Sequence, residues 1–213
     1  MDERLERARL GYERSVFGGD PDALPGADHG LDSLEADLAL ARGRVMHARF
    51  LDRREEDPRE LELFDRAATL YAKVGDPRGE AAALFWKGAF HQVVRADATL
   101  AVPLFERSLD LATRAGDKLT MSYALRHLGM AEHVAGRPDA ARGKLTESTR
   151  LRRELDFVPG IAANLVGLAH LAIDTGRTGE ARELLDEAAA LAARSRAHGM
   201  TRMVEEARQR LVS

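Results

Sequence analysis

Residues 125–145, LRHLGMAEHVAGRPDAARGKL, hold the side chains of this sequence that most resemble a metal site. His127 and His133 are six residues apart. On one helix they would therefore point about 120° away from each other. Histidines that share a metal ion on a helix usually lie four residues apart, as in the zinc motif H-E-x-x-H. The spacing predicts no metal site here, and the sequence has no cysteine that could add a thiolate ligand.

The segment from Gly136 to Lys144 has the lysine of a phosphate-binding loop but lacks the other parts of that motif. Six residues separate Gly136 from Gly143, where the motif has four. Leu145 stands where a Ser or Thr would hold magnesium, and no predicted strand precedes the segment. Nucleophile-elbow, dinucleotide-binding and calcium-loop patterns are also missing. We therefore predict no catalytic residue, no metal and no cofactor.

Composition narrows the class of protein further. The 213 residues are 45% hydrophobic and 31% charged, which is typical of a folded chain. A formal net charge of -3 argues against direct nucleic-acid binding, which needs a basic surface. The first residues are too charged for a signal peptide, and no apolar run reaches the roughly 18 residues of a membrane span. With no cysteine, the sequence favours a cytoplasmic protein that has no membrane association.

Apolar residues recur with the period of an amphipathic helix along nearly the whole chain. Gly- and Pro-containing segments, such as GDPRG at 75–79 and GRPD at 136–139, separate these stretches. The pattern predicts an all-α protein with helices at about 2–17, 32–52, 59–74, 79–94, 99–114, 119–135, 138–155, 159–175, 179–196 and 200–211.

Two successive helices recur with a period of 40 residues. Ala101, Ala141 and Ala181 have this spacing, and an earlier pair fits with one residue added. The other aligned sets are Phe105, Leu145 and Leu185; Ser108, Ser148 and Ala188; Leu111, Leu151 and Leu191; Phe85, Leu125 and Leu165; and Ala89, Gly129 and Ala169. A helical hairpin cannot bury its apolar stripe alone, so the repeat predicts hairpins that stack and share a core.

These residues resemble the tetratricopeptide repeat (TPR) family. LRHLGMAEHVAGRPDAARGKLTES and LVGLAHLAIDTGRTGEARELLDEA follow its spacing of a large apolar residue, a small residue, a Gly and then an Ala. The period is similar to the longer variant of bacterial transcriptional regulators and kinesin light chains. The resemblance implies a right-handed α-solenoid of about four hairpins, with a capping helix at each end. Gly88 departs from the pattern, since a large apolar residue is expected there.

The ends of the chain lie outside the repeats. We expect residues 1–30 to form a capping helix at 2–17 and a Gly- and Pro-rich loop at 17–30, read as a linker or, alternatively, a lid. Residues 31–213 form the array, and its last helix at 200–211 covers the final hairpin.

The resemblance also implies that the first helix of each hairpin lines a concave groove. The residues expected to face this groove are Arg49, Trp86, Lys87, Phe90, Tyr123, Arg126, Met130, His133, Asn164 and His170. Aromatic and Arg side chains of this kind anchor binding sites. Phe90 and Met130 recur at one position, which suits packing between repeats equally well.

The favoured function is a non-catalytic adaptor or regulatory module that binds a protein or peptide, with preference for an acidic segment or a free C-terminus. One alternative is a small-molecule site or an enzyme that uses His133, His170 and Tyr123 beneath the 17–30 loop. Another is a structural module that self-associates through its terminal helices, for example as a homodimer.

Overall fold

The structure, a computed structural model, describes residues 2–212, and over this range the chain is helical without any β-strand. The chain divides into two compact units between Leu111 and Ala112, which we call unit 1 and unit 2. The α-helices are α1 (Glu3–Val16), α2 (Ala23–Arg53), α3 (Arg59–Val74), α4 (Pro77–Ala89), α5 (Ala98–Arg114), α6 (Lys118–Val134), α7 (Pro138–Glu154), α8 (Val158–Asp174), α9 (Thr178–Arg194) and α10 (His198–Val212). The predicted all-α fold is confirmed, and most helices begin and end within two residues of the prediction.

Within each unit, a helix packs against the next helix along the chain. In unit 1 this holds for α1 with α2, α2 with α3 and α3 with α4; in unit 2 it holds for each successive pair from α6 to α10. In addition, α2 contacts α4, α6 contacts α8, and α8 contacts α10. Contact between alternate helices is what stacked hairpins produce.

The start of α2 differs from the sequence prediction by nine residues. Only 17–22 lies outside helices where we expected a loop over 17–30, since α2 begins at Ala23. Pro25 is tolerated because it lies in the first helical turn, whose N–H groups have no intrahelical partner. Gly30 faces α1, where a Cβ atom would lie 3.7 Å from Cβ of Arg4. Gly30, a residue type that is typical of loops, here lies where α2 packs against α1.

A π-helical turn, Phe90–Val94, follows α4 and explains the departure at Gly88. A π turn bonds each residue to the fifth one along and so holds one more residue than an α turn. Gly88 and Phe105 are 17 residues apart, whereas Gly129 and Leu145 are 16 apart. The extra residue makes Gly88, rather than Ala89, the equivalent of Gly129.

Glycine packs against a large side chain of the second helix in three hairpins. A Cβ atom at Gly43 would lie 2.4 Å from Phe64, at Gly88 2.7 Å from Phe105, and at Gly129 3.1 Å from Leu145. Each distance is shorter than ordinary van der Waals contact. The small residues therefore allow the close helix approach that the repeat pattern predicts.

The 40-residue period is also visible in the backbone. Gly116, Asp156 and Arg196 each end a turn with positive φ, at 64°, 49° and 55°. Ala96, Gly136 and Gly176 form a second such series, at 53°, 73° and 73°. The left-handed conformation recurs even where the residue is not glycine. The turn geometry is therefore the repeated feature, and glycine is the residue that adopts it at the lowest steric cost.

None of the helices in the described range is both long enough and apolar enough to cross a membrane.

Candidate functional site

The ten residues predicted to line a groove are divided between the two units. Arg49, Trp86, Lys87 and Phe90 lie in unit 1, and the other six lie in unit 2. Each side chain has its own contacts within its unit.

In unit 1, Trp86 is partly buried among aromatic rings. Its ring centroid lies 6.1 Å from that of Phe64, in a stacked arrangement, and 5.4 Å from that of His47. The guanidinium carbon of Arg44 lies 5.4 Å from the centre of the indole. Trp86 is thus a packing residue of the α2–α4 contact that keeps a partly exposed edge.

The other unit 1 residues do not form one surface. Nζ of Lys87 lies 2.5 Å from Oδ1 of Asp65, so an acid on α3 already neutralises its charge. Phe90 is fully buried and has the guanidinium of Arg95 4.8 Å from its ring centre. The expectation that Phe90 faces a groove is wrong, because the π turn places it one residue past the equivalent of Met130. Arg49 is exposed and lines a cleft of about 720 Å³ between α2 and α3.

In unit 2, the centre of the site is an arginine that the sequence analysis did not single out. Arg152 of α7 is only 2% exposed. Its Nη1 donates to the carbonyl oxygen of Gly160 (2.6 Å) and to Oδ1 of Asn164 (2.9 Å). The rings of Tyr123 and Phe157 lie 5.3 and 5.5 Å from its guanidinium carbon, within cation–π distance.

Arg126 of α6 donates to the same asparagine. Its Nη1 lies 2.7 Å from the carbonyl oxygen of Ala163 and 3.2 Å from Oδ1 of Asn164. The residue is partly exposed, and its Nε and Nη2 make no hydrogen bond to any part of the chain that the structure describes. Arg126 is therefore held on one side and retains free donors on the other.

Neither guanidinium has a carboxylate partner among residues 2–212. Burial lowers the pKa of Arg126 to about 10. Burial and then the charge of Arg126 lower the pKa of Arg152 to about 9, with Tyr123 acting in the opposite direction. Both groups remain protonated at neutral pH, and the charge of Arg126 acts on the buried guanidinium of Arg152.

Neighbouring small and polar residues hold this arginine pair in place. Asn164 is fully buried, and its Nδ2 donates to Oγ of Ser148 (2.8 Å), which itself donates to the carbonyl oxygen of Ser122 (2.6 Å). A Cβ atom at Gly160 would lie 2.4 Å from Cδ1 of Phe157 and 3.0 Å from Cδ of Arg152, so glycine leaves room first for the phenylalanine ring and then for the arginine. Asn164 thus acts from behind the site and presents no surface of its own.

Four side chains of α6 share one partly exposed face. Tyr123, Arg126, Met130 and His133 follow one another at three, four and three residues, which places them on one helical stripe. Met130 is 38% exposed, and the ring centroid of Tyr123 lies 6.0 Å from that of Phe157. An apolar and a cationic group are therefore adjacent on this stripe.

His133 and His170 belong to a network that joins α6, α8 and α10. Nε2 of His133 lies 2.8 Å from Oδ2 of Asp174, whose Oδ1 accepts from Nη2 of Arg210 (2.9 Å). Nη1 of Arg210 lies 2.9 Å from Nδ1 of His170. Burial, followed by the charge of Arg210, lowers the pKa of His170. Tyr123, the third residue of the small-molecule alternative, contacts Arg152 and Phe157 instead.

Over residues 2–212, no group of three or more His, Asp or Glu side chains is placed to hold a metal ion.

The arrangement of hairpins can now be compared with known proteins. The fold is that of a TPR-like repeat array. A kinesin-light-chain-like protein of Podosopora anserina with nearly identical TPR-like repeats superposes with a TM-score of 0.53 at 16% identity, covering 83% of this chain and 91% of that chain. BtubC (BKLC) from P. vanneervenii gives 0.51 at 14% identity, covering 86% and 89%. No protein-family model and no curated protein matches the sequence.

Arg152 could have been noticed in the sequence. It continues the buried stripe Ala141, Leu145 and Ser148 at helical spacing, and alanine stands at the equivalent positions 112 and 192. An arginine among alanines at one repeat position indicates a substitution with a local purpose.

Proposed function

We propose that this protein is a non-catalytic binding module that takes up an anionic segment of a protein partner, through acidic side chains or a free C-terminal carboxylate, on the Arg126 face of unit 2. The observation that carries this proposal is the pair of arginines, Arg126 and Arg152, whose hydrogen-bond partners among residues 2–212 are neutral oxygens and include no carboxylate.

An anion relieves the main electrostatic cost of this arrangement. A buried cation without a counter-charge is unfavourable, and a carboxylate beside it lowers that cost. The free Nε and Nη2 donors of Arg126 suit a carboxylate, which accepts two parallel hydrogen bonds from one guanidinium. Arg152, which is buried, adds its charge to the site without touching the ligand.

The site is also organised before a ligand arrives. Ala163 and Asn164 hold Nη1 of Arg126, so little side-chain freedom is lost on binding. Tyr123 and Met130, on the same stripe of α6, supply the apolar contact area that anchors peptide side chains. A carboxylate beside an apolar group is therefore the ligand chemistry that this face favours.

We further propose that Trp86, Lys87 and Arg49 each make a separate binding contact in unit 1, since each keeps part of its surface exposed. The cysteine-free sequence supports a cytoplasmic location. A regulatory role would then act through the bound partner, because the described residues show no constellation that would carry out chemistry itself.

The proposal is tested with an array of short random peptides, each presented once with a free C-terminal carboxylate and once as the amide. We expect the wild-type protein to prefer acidic or free-acid peptides. The Arg126→Gln variant should bind them about tenfold more weakly, since one charge-assisted hydrogen bond is worth about 1.5–3 kcal/mol.

The matched control is Arg182→Gln, at an exposed arginine of α9 that makes no ion pair within the described residues. It should leave the preference unchanged, and circular dichroism should show that both variants fold. Equal binding by wild type and Arg126→Gln would contradict the proposed site.

A further inference from the structure

The long helix α2 carries an uncovered apolar stripe. Leu24, Leu31, Leu38 and Val45 recur every seven residues, and each exposes between 38% and 52% of its surface. A seven-residue repeat of apolar side chains along a 31-residue helix is the pattern of a seam against another helix. The stripe is distinct from the buried residues of α2, such as Ala36, Leu40 and Gly43, and its last residue, Val45, also borders the cleft between α2 and α3.

Small residues accompany the stripe. Ala41 and Ala48 lie three residues after Leu38 and Val45, and both are exposed. Helix α1 covers only the first part of α2, where Gly11 meets the backbone of Ala23 and Nη1 of Arg4 binds Asp37. Beyond Asp37, large and small apolar residues alternate on a surface that allows a second helix to approach closely.

The charges beside the stripe change sign at the middle of the helix. Asp28 and Glu35 flank its first half, and Arg42 and Arg49 flank its second half, with each charge four residues after an apolar residue of the stripe. The sequence midpoint of Asp28 and Arg49 lies between Leu38 and Ala39. The midpoint of Glu35 and Arg42 lies at the same place. An antiparallel copy of the same helix would therefore place opposite charges together at both positions in one register.

We propose that a second copy of this chain binds this stripe, with the two α2 helices antiparallel about a twofold axis near Leu38. Such an interface is self-complementary and closed, so it stops at a dimer. Its location in unit 1 makes it independent of the anion site proposed for unit 2.

The cleft between α2 and α3 supports this choice of occupant. Val45, Met46 and Leu63 supply its apolar lining, and Arg42, Arg49, Arg59 and Arg66 supply its basic groups beside a single acid, Glu62. Arg59 and Arg66 are paired with Asp57 and Glu35, whereas Arg42 and Arg49 have no ion-pair partner within the described part of the chain. The second copy brings Asp28 to Arg49, and it brings Glu35, which Arg66 of its own chain already binds, to Arg42.

Cysteine cross-linking tests the orientation, because the native sequence has no cysteine and only introduced thiols react. Near the twofold axis, residue 38 faces its own copy, so Leu38→Cys should give a disulfide-linked dimer under mild oxidation. Leu31→Cys and Val45→Cys should each remain unlinked alone and should form a linked dimer when mixed. A parallel dimer would instead link each single variant to itself, and this would overturn the proposal.

Charge exchange tests the register. Sedimentation velocity over a range of concentrations should show a dimer for the wild type. Arg42→Glu combined with Arg49→Glu should weaken that dimer at least tenfold, and adding Asp28→Arg and Glu35→Arg to the same chain should restore it. The control pair Arg182→Glu with Arg202→Glu, at exposed positions of unit 2, should leave the dimer intact.

A wild-type chain that stays monomeric at every concentration would overturn the inference. So would a dimer that survives the Arg42 and Arg49 reversal, because another surface would then hold it. Circular dichroism confirms that each variant is folded, so loss of the dimer cannot be mistaken for unfolding.

Discussion

The two units bury charge in opposite ways. In unit 1, Nδ1 of His47 lies 2.8 Å from Oε1 of Glu60, and the two side chains are 7% and 1% exposed. In unit 2, Arg152 is just as deeply buried, yet among residues 2–212 its contacts are neutral oxygens and aromatic rings. Both charges lie between helices of similar hairpins, so hairpin geometry alone does not decide which solution is used.

The difference separates a structural polar contact from a candidate binding site. A histidine and a carboxylate satisfy each other and leave little for a ligand to gain. An arginine bound only to neutral acceptors keeps its positive charge, and the low-dielectric surroundings strengthen its effect on a nearby anion. This is why we place the proposed binding face in unit 2 and treat the buried pair of unit 1 as architecture.

The largest effect is expected from breaking the buried pair. Glu60→Ala leaves His47 buried without its partner and should lower the free energy of unfolding by about 3 kcal/mol. Replacing both residues by leucine should recover most of the loss, because no polar group is then stranded. Urea denaturation measures both values, and a double variant as unstable as the single one would show that the pair is net stabilising.

At Arg152, removing the charge should lower the free energy of unfolding less than keeping it on a lysine. Arg152→Met removes three hydrogen bonds but also removes an unneutralised buried charge, so we expect a loss of about 1–2 kcal/mol. Arg152→Lys keeps the charge and loses the forked donors, and it should cost about 2–3 kcal/mol. If urea denaturation shows lysine to be the milder change, the charge itself is compensated in the native protein.

The glycines that pack against the second helix of a hairpin have closer contacts in unit 1 than in unit 2. In unit 1, Gly43→Ala and Gly88→Ala place a methyl group against the buried rings of Phe64 and Phe105, and each should cost about 1–2 kcal/mol. In unit 2, Gly129→Ala meets Leu145 at a longer distance, and the better helix propensity of alanine offsets that contact. We expect its unfolding free energy to stay within about 0.5 kcal/mol of wild type. Thermal unfolding of the three variants measures these changes in stability. A larger loss for Gly129→Ala than for the other two variants would contradict the prediction.

The smallest effect is a dependence on pH carried by one histidine in each unit. Burial lowers the pKa of His91 and of His170 below the ordinary 6.5, and Arg95 and Arg210 respectively add to it. The unfolded chain then binds more protons than the folded one, so the stability these histidines contribute above 6.5 is lost as the pH falls below it.

His91→Asn and His170→Asn should each reduce the fall in stability between about pH 7.5 and about pH 5.5. The change should be larger for His91, which is 6% exposed and whose Nδ1 has no hydrogen bond to any of residues 2–212. Urea unfolding at the two pH values gives the comparison, and unchanged slopes in both variants would contradict these pKa directions.

Local pattern predicted most of the fold. Amphipathic periodicity and the turn glycines Gly75, Gly136 and Gly176 gave the helix order, and the small residues at 40-residue spacing gave the hairpins. The misplaced start of α2 has a clear cause. Pro25, Gly26 and Gly30 are typical of loops, and only contact with α1 shows why Gly30 is useful inside a helix.

The candidate site was only partly predictable. The resemblance to the TPR family put Tyr123, Arg126, Met130 and His133 on a common face, and they lie on one stripe of α6 because neighbours on a helix face are fixed by the helix itself. That this stripe binds a partner stays a prediction. Phe90 was misplaced because the sequence pattern does not predict a π turn. Arg152 was missed because it lies on α7, which packs against α6 behind the stripe.

The amino-acid sequence by itself determined the helices, their order and their pairing into repeats, since these depend on interactions between residues close along the chain. Only the tertiary structure decided that Arg126 and Arg152 both donate to Asn164, with no carboxylate partner among residues 2–212. It also decided that His47 pairs with Glu60. Those contacts join helices distant in sequence, and a charge is costly or useful only once its surroundings have excluded water.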